Sequence, residues 1–150
     1  MFVLGFIIVL LALAVFSVFL GGNIRMIIDL PSLIIIIIPL LGVLFATKSF
    51  HVFYEGMKAI ILPKAKISDK LRDQAVLLFR MLSKATAAIS AAGFIICLLN
   101  ILFSLDMTDP NAINTIGSNI AAGLTTPMYG LTLIAALFEP AFFVLKKRKQ

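Results

Sequence analysis

The chain has 150 residues, 61% of them apolar, and a mean hydropathy of +1.12. Soluble domains average about 45–50% apolar, so water on every side is excluded and a membrane protein is expected. The net charge of +6 comes from 13 Lys and Arg against seven Asp and Glu. These basic residues flank apolar runs without base-stacking aromatics, which argues against nucleic acid, and a lone cysteine, Cys97, provides neither a disulfide framework nor metal-ligand spacing.

Phe2 to Leu20 carries no charge and is long enough to cross a hydrocarbon core, which needs about 20 apolar residues per helix. It lacks the basic start of a secretory signal and is too long for a signal's apolar region, so it reads as a retained helix. The connection "GGNIRMIIDLPSL" follows. Its glycine pair suits a helix end, and Pro31 with Ser32 suits a helix start, so the first two crossings form an antiparallel hairpin. The second crossing covers residues 31–47. Pro39 should kink it or free a carbonyl for a neighbour.

Residues 48–84 form a basic connection, broken at "LPKAKISDK". Pro63 ends one amphipathic helix, and Ser68 with Asp69 opens another. Leu71, Ala75, Leu78 and Leu82 then recur on one helical face, with Lys70, Asp73 and Lys84 opposite. This helix is expected to run straight into a third crossing at residues 85–105. The upstream piece "FHVFYEGMKAIIL" has aromatics suited to a membrane interface, and His51 reads as a surface residue. A fourth apolar stretch, residues 113–145, is longer than one bilayer and should tilt or project.

Eight of the 13 basic residues lie between Lys48 and Lys84, and four more form the tail "KKRK". The positive-inside bias therefore places the middle segment and both termini in the cytoplasm. The expected fold is an all-α integral membrane protein of one domain, residues 1–150. It has four transmembrane helices and short amphipathic cytoplasmic helices between the second and third. The tail is suited to anionic membrane lipids.

No nucleophile–base set, paired carboxylates, phosphate loop or metal cluster is present, so no catalytic enzyme and no cofactor are expected. What remains are polar groups inside membrane helices. The third helix carries Ser90, Cys97 and Asn100, and the fourth carries Ser118, Asn119, Thr125, Thr126, Tyr129, Thr132 and Glu139. Small residues lie beside them: Ala87, Ala88, Ala91, Ala92 and Gly93, then Ala121, Ala122 and Gly123. Two readings stand. One is close helix packing closed by hydroxyl hydrogen bonds, and the other is a polar seam lining a partner helix or an ion path. Helices one and two lack such groups and read as an outer, lipid-facing pair. Glu139 is a relay candidate because it ionises within a membrane helix. Its nearness to the basic tail equally allows it to reach the surface or a lysine of another subunit.

The order of these features resembles the MotA/TolQ/ExbB proton-channel superfamily, and the four-helix plan is similar to its MotA-like, flagellar-stator type. The resemblance rests on the oily hairpin with "GG" and "D-PSL", the helix "LLFRMLSKA", the "DP" loop and "AAGLTTPMYGLTLIAALFEPA". It implies a bacterial inner-membrane subunit of an ion-driven motor. Such subunits form a pentamer around two copies of a B-type partner, whose single transmembrane helix carries the ion on an aspartate. Thr126, Tyr129, Gly130 and Pro140 match the family's residues, and Thr125 lies beside them. The departures are Pro127 for the second threonine of the pair, Ser90 for a proline, Cys97 for a threonine and Asn100 for a glycine. Fewer hydroxyls favour proton over sodium transfer. The cytoplasmic connection of about 36 residues is far smaller than the family's rotor-engaging domain. A structural or assembly ring without conduction is the alternative.

Overall fold

The computed structural model describes residues 2–19, 29–62, 67–103 and 112–148. The glycine pair and Arg25 of the first connection, Pro63, and the loop containing Asp109 and Pro110 lie outside the described residues. Every regular element described is helical: α1 Phe2–Phe19, α2 Leu30–Ala46, α3 Phe50–Ile61, α4 Asp69–Phe103, α5 Ala112–Leu133, a π-helix Ile134–Phe138, and α6 Glu139–Lys147.

The apolar surface identifies a membrane protein. Phe16, Phe19, Leu30, Ile38, Phe45, Leu102, Phe103 and Leu131 are all exposed, a load of bare hydrocarbon that water does not tolerate. Two helical stretches are long and apolar enough to cross a membrane, and a third is added if α2 and α3 count as one bent span. Helix α4 is continuous for 35 residues. At 1.5 Å per residue that is about 52 Å, longer than the core of about 30 Å that a membrane helix must cross. The expected amphipathic helix and third crossing are thus one rod.

Helix α4 is the spine. It packs along α5 and α6, takes α2 on one flank and α3 on another, while α1 sits peripherally against the π-helix and α3. The deepest core gathers where five elements meet. Ile36, Leu40 and Leu44 of α2 pack with Ala59 and Ile60 of α3, Phe79 and Leu82 of α4, Phe138, and Ala141 and Leu145 of α6. Phe79 lies at the centre with its ring 5.7 Å from that of Phe53 and 6.5 Å from that of Phe138.

Two glycines set how close α5 comes to α4. A Cβ at Gly123 would lie 2.7 Å from the Cys97 sulfur, and one at Gly130 would overlap the Ser90 hydroxyl. Cys97 and Ser90 are two turns apart on α4, and Gly123 and Gly130 are two turns apart on α5, running the opposite way. Each small side chain therefore enters the gap left by a missing one, the small-residue device of membrane helix pairs.

Pro39 and Pro127 lie within unbroken helices. The π-helix has a local cause. Pro140 has no N–H to give and its ring clashes with the carbonyl four residues back. The backbone answers with a wider turn, in which the Glu139 N–H reaches the Ile134 carbonyl, as π-bulges do.

Helix α2 departs from the purely apolar outer helix expected of it. Its stripe Ser32, Ile36, Leu40 and Leu44, one residue per turn, is buried and faces α4 and α5. Only its other side, including Ile34, Ile38 and Phe45, is bare.

The basic end is tied by arginines. Arg72 bridges Asp69 at 2.8 Å and Asp73 at 3.0 Å and donates to the Arg148 carbonyl at 3.1 Å. Arg148 in turn donates from its guanidinium to the Ala59 carbonyl in the last turn of α3, where a cation also complements the helix dipole.

Candidate functional site

The polar residues of the fourth helix converge on the start of the second. Asp29 precedes α2 in extended conformation, and its backbone N–H donates to the Tyr129 hydroxyl at 2.8 Å. Ser32, one turn on, donates to the Asp29 carboxyl oxygen Oδ2. Thr125 reaches the same oxygen at 2.9 Å, lies 2.7 Å from the Ser32 hydroxyl and can also donate to the Ala122 carbonyl at 2.6 Å. Thr126 donates to Ser32 at 2.9 Å.

The result is a hydrogen-bonded chain, Thr126 to Ser32 to Asp29, with Thr125 bracing its end. Ser32 and Thr126 are 4% and 2% exposed, so the inner links are dry and only the Asp29–Thr125 end is half open. Gly93 makes the approach possible, because a Cβ there would lie 2.9 Å from Ile35 and 3.0 Å from Thr126. Chemically, a row of hydroxyls ending at a carboxyl group can hold or hand on a proton, or present clustered oxygens to a small cation.

The other sequence-derived positions fall elsewhere. Ser90 and Cys97 lie in the α4–α5 seam against the two glycines, and the Ser90 hydroxyl donates to the Thr86 carbonyl at 2.7 Å. Asn100 is exposed near the far end of α4, and Pro127 is half-buried beside the threonines. Glu139 and Pro140 lie beyond the π-helix, where the half-buried Glu139 accepts a 2.7 Å hydrogen bond from buried Ser83. Thr125, Thr126 and Tyr129 are thus brought together, whereas Glu139 and Pro140 are separate from them. No buried side-chain nitrogen or oxygen lacks a partner among the described residues, and no group of three potential metal ligands occurs among them.

Asp29, Ser32 and Ser83 escaped the sequence reading of the seam. The signal for the first two was present: an ionisable residue and a hydroxyl three apart at the mouth of an apolar helix. Nothing local points to Ser83 as the partner of a residue 56 positions later.

Comparison with family models, with curated proteins and with solved structures returns no match.

Proposed function

We propose that the chain is the A-type subunit of an ion-driven motor of the bacterial inner membrane. It crosses four times with both termini in the cytoplasm, and assembles as a pentamer around two copies of a single-helix B-type partner. The ion is a proton. The observation that carries this reading is the chain Thr126–Ser32–Asp29, a dry row of hydroxyls that opens at a carboxyl group beside the threonine pair. Support comes also from the outer faces of the two central helices. Ala87, Ala88, Ala91 and Ala92 on α4 and Ala121 and Ala122 on α5 are exposed, leaving small-residue surfaces on which other helices can pack closely.

One observation favours a structural ring that does not conduct. Thr126, Ser90 and Cys97 point into the subunit's own seams, and the cytoplasmic helices α3 and the first turns of α4 are occupied in packing against each other.

Cryo-electron microscopy of the detergent-purified chain is the first test. Five subunits with α4 and α5 inward support the ring; a monomer or an even-numbered bundle refutes it. Proton flux through proteoliposomes containing the chain and its partner then separates the two readings. Thr126→Val should cut the flux at least tenfold in a motor and leave a non-conducting ring as silent as before.

A further inference from the structure

We propose that the elbow between α2 and α3 binds the phosphate headgroup of an anionic phospholipid of the cytoplasmic leaflet, with Lys48 as its cationic ligand. The elbow borders an open cavity of about 400 Å³, with Thr47, Lys48 and Ser49 on one side and Gln74, Leu77 and Leu78 of α4 on the other. That volume lies within the usual range of small-molecule sites, about 300–1,000 Å³. One wall is polar and cationic and the other is apolar apart from Gln74, which matches a lipid rather than a free anion.

The backbone gives an independent reason to look at Lys48. Ser49 N–H bonds the Leu44 carbonyl and Lys48 N–H bonds the Phe45 carbonyl, both at 3.0 Å. This pair closes α2 with a Schellman motif, in which glycine is the usual occupant of the left-handed position. Here that position is Lys48, with φ of 50°. A side chain with a Cβ is disfavoured there, so the turn alone would be better served by glycine. The lysine is held in a strained conformation of the kind that accompanies ligand clamps. Among the described residues no carboxylate lies within 4.0 Å of its ammonium group.

Position selects the occupant. An apolar helix ends at the elbow, and the chain turns by 112° into α3, whose Phe50 and Tyr54 are exposed as interfacial aromatics are. Phe45, 71% exposed one turn back on α2, and Leu77, 68% exposed on α4, offer bare hydrocarbon beside the cavity for an acyl chain. The exposed Arg80 and Lys84 on α4 add to the local positive field. The proposal rests on membrane insertion with the elbow on the cytoplasmic side, and stands whether or not the chain drives a motor.

Native mass spectrometry of the full chain in non-ionic detergent tests it, with phosphatidylglycerol, phosphatidylcholine and inorganic phosphate titrated separately. Phosphatidylglycerol should be retained in preference to phosphatidylcholine. Lys48→Gly should weaken that retention about fivefold, the effect of one lysine at an anionic surface, while leaving the thermal midpoint equal or higher. Lys48→Gln, which keeps the backbone strain, should show the same loss, and Lys48→Arg should restore binding. Lys146→Gln/Lys147→Gln removes tail-bound lipid and must leave the Lys48-dependent component in place. Unchanged retention in Lys48→Gly, or equal retention of the two lipids, would overturn the proposal. So would displacement of phosphatidylglycerol by equimolar inorganic phosphate, which would make the occupant a free anion.

Discussion

Ser32 serves two neighbours at once. Its hydroxyl proton goes to Asp29 and its oxygen receives the proton of Thr126, and of the three only Asp29 is partly exposed. Removing it by Ser32→Ala leaves the buried Thr126 donor without its acceptor, a loss that costs about 1–3 kcal/mol. Thr126→Val removes only the donor and keeps the volume, so it should cost less, about 1 kcal/mol. In the double variant the orphaned donor no longer exists. Its loss should therefore fall short of the sum of the two singles by about 0.5 kcal/mol or more, as expected for residues in one network. Thermal unfolding in detergent of the four proteins reads this directly. Strict additivity would show that Ser32 and Thr126 do not share the hydrogen bond. The same pair explains why the second crossing reads as lipid-facing in sequence: Ser32, just before five isoleucines, reads there as a helix start and nothing more. It matters only because α5 brings two threonines to it from more than 90 positions away.

Between elements, the register of α4 on α5 is set by the two small-for-glycine exchanges, Cys97 with Gly123 and Ser90 with Gly130. A Cβ built at Gly123 lies 3.4 Å from the Cβ of Cys97, close to the usual disulfide separation of about 3.5–4.5 Å. Gly123→Cys should therefore form an intramolecular disulfide with Cys97 on mild oxidation, seen as a loss of two free thiols without a change in oligomer size. Covalent dimers in place of that internal bridge would mean that Cys97 faces a neighbouring subunit and that the seam is drawn wrongly. Much of this layer was legible beforehand. Charge-free length marked the helices, the leucine spacing at Leu71, Leu78 and Leu82 foretold that one helix runs unbroken from Asp69 to Phe103, and Gly93 and Gly123 lie where helices approach closely, whereas the alanines beside them are exposed. The π-helix was not legible in its place, although Pro140 causes it. A proline two residues into a helix is ordinary; it demands a wide turn only when the preceding helix continues unbroken into it, and that continuity is a property of the packed chain. The extra residue of that turn also decides where Glu139 points, which is how it comes to meet Ser83.

For the molecule as a whole, the consequential feature is how the basic side is fastened. Three segments far apart in sequence end together there: α3 at Ile61, α4 beginning at Asp69, and α6 running out at Lys147. Apolar packing of Ala59 and Ile60 holds the end of α3 against the core but does not by itself fix its polar groups relative to α4 and α6. Arg148 supplies the missing connection. Its guanidinium holds the Ala59 carbonyl of α3 while its own carbonyl receives Arg72 of α4, so a single residue at the end of α6 spans both neighbours. Arg72 is held in turn by two carboxylates, which keeps it aimed and uncharged neighbours would not. Arg148→Ala should leave the buried core folded, because that core is closed by Phe79, Leu82 and Leu145. It should loosen α3, whose remaining hold is its packing on α4 and α6 and its contact with α1. Hydrogen exchange gives the clean readout: amides of residues 53–62 should exchange at least tenfold faster in Arg148→Ala than in the parent chain. Amides in the buried half of α4, around Leu82 to Ser90, should keep their protection. Equal acceleration in both regions would instead place Arg148 in the global stability of the protein. No acceleration in either would mean that the contact with Ala59 is too weak to hold α3 in place.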